Sequence, residues 1–129
     1  MKPTEFISVW YAYQDRTGLA EKFPLYKLPT PDARLSLTTA DFLTKAGLPD
    51  AAGLRFDGLP KGLRRASEVY DSAYPWSERE LERLRSCLIL GDDAGGNPIC
   101  LDTANRERIV FLDHERGFAL AEVVNSGVA

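Results

Sequence analysis

The 129-residue sequence lacks the patterns that mark several large classes of protein. Its longest uncharged apolar run, residues 87–91, is far shorter than the ~20 residues that cross a bilayer, and its N-terminus has no signal-peptide pattern. The net charge of -3 and the pI near 5.2 argue against nucleic acid as a partner, because that partner needs clustered positive charge. We therefore expect a cytoplasmic protein that binds neither a membrane nor nucleic acid directly.

Residues that carry common catalytic chemistry are also scarce. His114 is the only histidine, and its neighbours Asp113 and Glu115 would point away from it in an extended strand, so we expect a solvated turn histidine. No serine lies in a G-x-S-x-G elbow. The glycine-rich residues 91–96 have no G-K-[ST] and carry two aspartates that would repel phosphate, so they predict a hairpin turn. We expect no catalytic residues, no cofactor and no enzymatic activity.

The two cysteines do not form a recognisable metal or redox motif. Cys87 and Cys100 lie within apolar stretches and lack the C-x-x-C spacing of zinc and thioredoxin-type sites. In a cytosolic chain we expect buried free thiols. A disulfide between them would require that their two strands are neighbours.

The composition is that of one soluble globular domain, which we place at residues 1–129. Apolar residues make up 44% of the chain and charged residues 27%. The charge is unevenly distributed: residues 92–116 hold six acidic and three basic residues, whereas the other 13 acidic and 13 basic residues balance. The entire net negative charge therefore belongs to one C-terminal segment.

Three helices are predicted, near residues 4–16, 39–46 and 77–84. Phe6, Val9, Trp10 and Tyr13 recur at helical spacing and place large side chains on one face of the first helix. Thr38 or Thr39 can cap the second helix, which Gly47 ends. In the third, Ser77 and Glu80 have the spacing of a capping box, and Trp76 is either the flanking hydrophobic staple or an anchor for a partner.

Four apolar runs near the C-terminus predict an antiparallel meander, because the gaps between them are short and rich in turn residues. The runs are residues 87–91, 99–102, 108–113 and 118–124. The proline-containing residues 23–29 predict an extended surface segment. Residues 50–75 predict an irregular connection with one short strand near 54–57.

The predicted helices and meander together indicate an α+β fold: one domain with a twisted antiparallel sheet of four to six strands and helices packed on one face. The predicted core comprises Phe6, Trp10, Phe42, Leu43, Leu81, Leu84, Leu88, Leu90, Ile99, Leu101, Val110 and Leu112.

Residues 88–102 (LILGDDAGGNPICLD), 109–115 (IVFLDHE) and 124–126 (VNS) together resemble the SUKH superfamily, the Smi and Knr-like proteins, and most closely its fourth subfamily. Three pieces in the same order carry the resemblance: a strand ending Gly-Asp before a glycine-rich turn, a strand ending Leu-Asp, and a strand ending Leu-Asp-His-Glu before Asn-Ser. Relatives often continue with a C-terminal helix, so we expect a domain without that helix.

The resemblance implies a bacterial immunity protein, which binds and neutralises the cognate toxin of a polymorphic or contact-dependent competition system. That toxin is often a nuclease. Eukaryotic relatives are regulatory adaptors, so an adaptor of the same fold is the alternative function, and a small metal-dependent hydrolase ranks third.

The acidic residues of the meander admit two interpretations. Carboxylates gathered at strand ends could hold Mg²⁺, but Asp92, Asp93, Asp102 and Asp113 occupy positions where aspartate accepts local backbone hydrogen bonds, and we expect no metal site. A nuclease cleft is cationic, and an acidic surface can occupy it. We therefore predict that a toxin-facing surface includes Asp92, Asp93, Asp113, Glu115 and Trp76.

Overall fold

A computed structural model of the protein describes residues 3–17, 24–50, 53–70 and 75–123. In chain order these residues form α1 (Pro3–Thr17), β1 (Leu25–Tyr26), α2 (Leu37–Lys45), β2 (Leu48–Pro49), β3 (Arg64–Arg65), α3 (Ala66–Val69), α4 (Glu78–Ser86), β4 (Cys87–Asp92), β5 (Pro98–Asp102), β6 (Arg108–Asp113) and β7 (Ala119–Val123). Single 3-10 turns lie at Leu59–Lys61 and His114–Arg116. The α+β class is confirmed. Across the ranges described, no helix is long and apolar enough to cross a membrane.

The main sheet has five antiparallel strands in the order β3-β4-β5-β6-β7. Strands β4 to β7 are the predicted meander, and β3 adds a short edge strand from the segment predicted to be irregular. A separate antiparallel pair joins β1 to β2, with Tyr26 opposite Leu48. The predicted extended segment therefore supplies β1 as well as Leu28, which is buried in the core.

The two faces of the main sheet bury two different hydrophobic clusters. Side chains alternate between faces along a strand, so Leu88 and Leu101 lie on one face and Cys87 and Cys100 on the other. The first cluster comprises Leu28, Leu35, Ala40, Leu43, Phe56, Leu59, Leu63, Leu88, Leu90, Ile99 and Leu101. The second comprises Ala66, Leu84, Cys87, Cys100, Val110 and Leu112. Strand β5 lies between the clusters and is buried at each of its five residues.

The helices are divided between these two faces rather than packed on one. Ala40 and Leu43 bring α2 to the first cluster, whereas Ala66 of α3 and Leu84 of α4 belong to the second. The reason is that β4 and β5 carry apolar side chains on both faces of the sheet. Each face must therefore be shielded from water by helices packed against it.

The predicted core is largely confirmed. Eight of its members are buried, and Phe42 and Leu81 are partly exposed. The side chains of Phe6, Trp10 and Tyr13 lie outside the described part of the structure, and Val9 from the same predicted helix face is 53% exposed.

The thiols of Cys87 and Cys100 are free and buried, as predicted. They lie on one face of neighbouring strands. The Cys100 thiol donates a hydrogen bond to Cys87, and this bond, together with burial, raises the pKa of Cys100, whereas the same bond lowers the pKa of Cys87. Both thiols are buried in the second cluster, so the pair contributes to the packing of that face of the sheet.

Serine side chains cap the N-termini of α2 and α4. The Ser77 hydroxyl accepts the Glu80 N–H and begins α4, as predicted. Helix α2, however, is capped by Ser36 instead of Thr38 or Thr39, and its hydroxyl accepts the Thr39 N–H. The reason is a distant contact: the Glu107 carboxylate accepts hydrogen bonds from the Ser36 N–H at 2.8 Å and from the Ser36 hydroxyl at 2.7 Å.

The segment predicted to be irregular contains more structure than its composition suggests. The short strand predicted near residues 54–57 is reduced to an isolated bridge between Arg55 and Asp92. Strand β3 and helix α3 follow it, and neither was predicted. Both depend on partners elsewhere in the chain, since β3 pairs with β4 and Ala66 is buried under α4.

We expect Gly47→Ala to destabilise the fold strongly, because two independent constraints require glycine there. Gly47 has φ +77, and a Cβ would lie 2.1 Å from the Tyr26 carbonyl oxygen. The expected loss is at least about 2 kcal/mol of unfolding free energy, measured by urea denaturation. Gly58→Ala is the matched control: Gly58 has φ -80 and no atom near a Cβ, so its change should stay within about 1 kcal/mol of wild type. Equal losses in both variants would contradict this explanation.

Candidate protein-binding site at the acidic end of the sheet

Two turns of the meander meet at one end of the sheet. The β4–β5 turn (residues 93–97) and the β6–β7 turn (residues 114–118) contact each other, since the His114 N–H donates to the Asn97 side-chain oxygen at 3.1 Å. The β5–β6 turn lies at the opposite end, because successive antiparallel turns alternate between ends. Asp92, Asp93, Asp113 and Glu115, all predicted to face a partner, therefore share one end, which we call the acidic end.

Asp93 builds the β4–β5 turn. Its carboxylate accepts the N–H groups of Gly95 at 2.8 Å and Asn97 at 2.9 Å, and the Asn97 side-chain amide donates to it at 3.2 Å. The backbone hydrogen bond from Asn97 is the main cause that lowers the pKa of Asp93, with further contributions from Gly95 and the nearby His114. Asp93 is therefore a structural carboxylate whose charge still lies at this end.

Asp92 is paired with a residue that the sequence did not single out. The Arg55 guanidinium contacts the Asp92 carboxylate at 3.0 Å, and the backbones of Arg55 and Asp92 exchange two hydrogen bonds of 2.9 and 3.0 Å. The close approach requires glycine at position 91, where a Cβ would lie 2.0 Å from the Arg55 carbonyl oxygen. The hydrogen bond that the Arg55 guanidinium donates to the Asp92 carboxylate raises the pKa of Arg55.

Asp113 and Glu115 occupy the β6–β7 turn. The Asp113 carboxylate accepts the Glu115 N–H at 3.0 Å and lies 3.6 Å from the Arg116 guanidinium. Glu115 is exposed, and its carboxylate has no ion pair with any residue in the described ranges. The four predicted carboxylates together with Arg55 and Arg116, and with His114 neutral, carry a formal charge of -2.

Aromatic side chains lie directly beside the acidic end. Trp76 is partly exposed and packs on Phe118, with ring centroids 5.7 Å apart, and Phe118 packs on Tyr70 at 3.9 Å. A Cβ at Gly117 would lie 3.7 Å from the Trp76 ring, so Trp76 borders the β6–β7 turn. Burial raises the pKa of Tyr70 to about 12, which keeps its hydroxyl protonated. The structure thus places Trp76 beside the β6–β7 turn, which carries Asp113 and Glu115.

The other two acidic residues of the segment 92–116, Asp102 and Glu107, lie at the other end and stabilise the fold. Asp102 is 4% exposed; its carboxylate contacts Arg108 at 3.0 Å and the Asn105 amide at 2.8 Å. Glu107 is bound to Ser36 and to the Thr39 hydroxyl, as described for α2. Within the described ranges, no group of three histidine, cysteine, aspartate or glutamate side chains is arranged to hold a metal ion.

Asn97 is a second residue of this end, besides Arg55, that sequence reasoning missed. Its side chain connects Asp93 to His114, with 2.7 Å between the Asn97 oxygen and Nδ1 of His114. The prediction that neither Asp113 nor Glu115 orients the imidazole agrees with this contact. The sequence shows only that Asn97 lies in a predicted turn. Asparagine is common in turns, so its presence does not indicate a contact with a residue 17 positions away.

Comparison of the chain with protein-family models, with curated proteins and with solved structures found no match. The SUKH resemblance therefore depends on the sequence pieces alone, of which residues 124–126 lie outside the described part of the structure.

We expect Asp93→Asn to lower stability at neutral pH and to lose this effect in acid. The pKa of Asp93 is lower in the folded than in the unfolded chain, so the carboxylate stabilises the fold above its ordinary pKa of 3.8, and this contribution disappears as the pH falls through the folded-state value. At pH 7 the loss should be roughly 0.5–1.5 kcal/mol, the net value of one hydrogen bond.

Urea denaturation at several pH values between 7 and 3 measures this dependence. The matched control is Glu115→Gln, which removes one charge from the same end without removing a backbone hydrogen bond, and which should change the pH 7 stability by less than about 0.5 kcal/mol. An Asp93→Asn protein as stable as wild type at pH 7 would refute the role of this carboxylate.

Proposed function

We propose that this protein is a non-enzymatic, cytoplasmic binding protein of the SUKH type, an immunity protein that binds and neutralises a cognate bacterial toxin. The observation that carries the proposal is the gathering of Asp92, Asp93, Asp113 and Glu115 at one end of the sheet, beside the partly exposed Trp76. The resemblance of the meander to SUKH immunity proteins supports the same function.

The chemistry of the acidic end suits a cationic partner such as the cleft of a nuclease. Carboxylates at the rim of an interface increase the rate of encounter through long-range attraction, and an aromatic anchor supplies buried contact area. Glu115 is the most available carboxylate, since Asp92 and Asp113 are paired with arginines. Trp76 supplies the aromatic surface next to it.

The contacts of the other carboxylates favour binding over catalysis. A metal-dependent hydrolase needs carboxylates that converge on one ion. Here Asp93 is occupied by turn N–H groups, and Asp102 by Arg108 and Asn105 at the opposite end of the sheet. These carboxylates stabilise turns, which is consistent with a protein that acts through its surface.

Co-expression tests the proposal. The protein encoded immediately upstream is produced alone and together with this chain, and growth and complex formation are measured. An immunity protein is expected to restore growth and to co-purify with the toxin. If the upstream protein is toxic but is neither bound nor neutralised, the proposal is wrong for that pair.

We predict that Asp92→Asn combined with Glu115→Gln slows association with the toxin. Removing two negative charges reduces electrostatic attraction, so the association rate at low salt should fall several-fold and depend less on salt, while dissociation changes little. Stopped-flow or surface-binding kinetics measure both rates.

The control variant is Asp41→Asn combined with Glu68→Gln, which removes two exposed charges from α2 and α3 instead. Each of these surface ion pairs contributes about 0–1 kcal/mol, so both double variants should fold. Equal association rates for the two double variants would show that the acidic end is not the docking surface.

A further inference from the structure

The orientation of the Asn97 side chain is fixed by two groups whose hydrogen-bonding roles cannot change. The Asp93 carboxylate only accepts, so the atom that faces it at 3.2 Å is the Asn97 amide nitrogen. The His114 backbone N–H only donates, so the atom that faces it at 3.1 Å is the Asn97 oxygen. Both contacts require the same orientation of the amide.

This orientation in turn fixes the tautomer of His114. Nδ1 of the imidazole lies 2.7 Å from the Asn97 oxygen, which is an acceptor, so Nδ1 must carry the proton. In the neutral imidazole Nε2 is then an acceptor. The His114 side chain is exposed, and Nε2 has no hydrogen bond to any residue that the structure describes.

Resting on the proposed function, we propose that His114 is a specificity-determining residue of the acidic end: its Nε2, oriented by Asn97 and Asp93, accepts a hydrogen bond from an arginine or lysine of the cationic toxin. The carboxylates around it attract any cation over a long range and with little geometric preference. A single imidazole nitrogen in a fixed direction accepts only a donor at one position. His114 therefore adds geometric selection to a surface whose charge alone selects only for sign.

The first measurement requires no partner. Long-range ¹H–¹⁵N spectra at pH 8 distinguish the two neutral tautomers of His114, the only histidine in the chain. Wild type is expected in the Nδ1–H form, and Asn97→Ala should shift the population towards Nε2–H. Asn105→Ala is the matched control, because this turn asparagine also donates to a strand-ending aspartate but lies at the opposite end of the sheet. It should leave the tautomer unchanged.

The second measurement is equilibrium binding to the toxin encoded upstream. His114→Phe keeps a ring but removes the acceptor, and its affinity should fall about tenfold, as expected for one lost interfacial hydrogen bond. His114→Gln, whose side chain retains an accepting oxygen, should recover part of that loss. Asn97→Ala should bind more weakly than Asn105→Ala, whose affinity should equal that of wild type.

The outcomes separate this inference from the proposed function. A wild-type His114 in the Nε2–H form overturns the inference directly. Wild-type binding that His114→Phe leaves unchanged also overturns the inference, but leaves the proposed function intact. A wild-type protein that does not bind the toxin overturns the proposed function and the partner contact together.

Discussion

The rest of the structure depends on the burial of strand β5 on both of its faces. Each of its residues is buried, and Cys100 at its centre packs on the side opposite to Ile99 and Leu101. A slip of one residue in its pairing would exchange the side chains of the two clusters, so the register of the sheet is strongly determined. The helices on the two faces, and the turns at the two ends, take their positions from this strand.

Both ends of β5 connect to turns organised by an aspartate and an asparagine. Asp93 and Asn97 form the turn before the strand, and Asp102 and Asn105 form the turn after it. In the second pair the Asp102 carboxylate is buried and is also bound by Arg108. The first pair continues to the exposed His114. The same combination of aspartate and asparagine therefore buries its carboxylate at one end of the sheet and leaves it partly exposed at the other.

The sequence was sufficient for the parts of the fold that depend on local patterns. The meander was predicted because apolar runs alternate with short turns, and the start of α4 because Ser77 and Glu80 have capping spacing. The acidic end could be anticipated because antiparallel turns separated by two strands lie at the same end. The local rule that aspartates near turns accept backbone hydrogen bonds also applied to Asp93 and Asp113.

Features that depend on distant partners were missed. Ser36 caps α2 with support from Glu107, which is 71 residues away, and Arg55 pairs with Asp92 across 37 residues. Neither pairing has a sequence spacing that could reveal it. The contact between Asn97 and His114 has the same origin, since it exists only once two separate turns are brought together.

Strand β3 also determines how far the sheet can extend. It has only two residues, Arg64 and Arg65, both exposed, and α3 begins at the next residue. A strand added beside it would find few backbone groups to pair with and two positive charges in its path. This margin of the sheet therefore resists edge-to-edge aggregation.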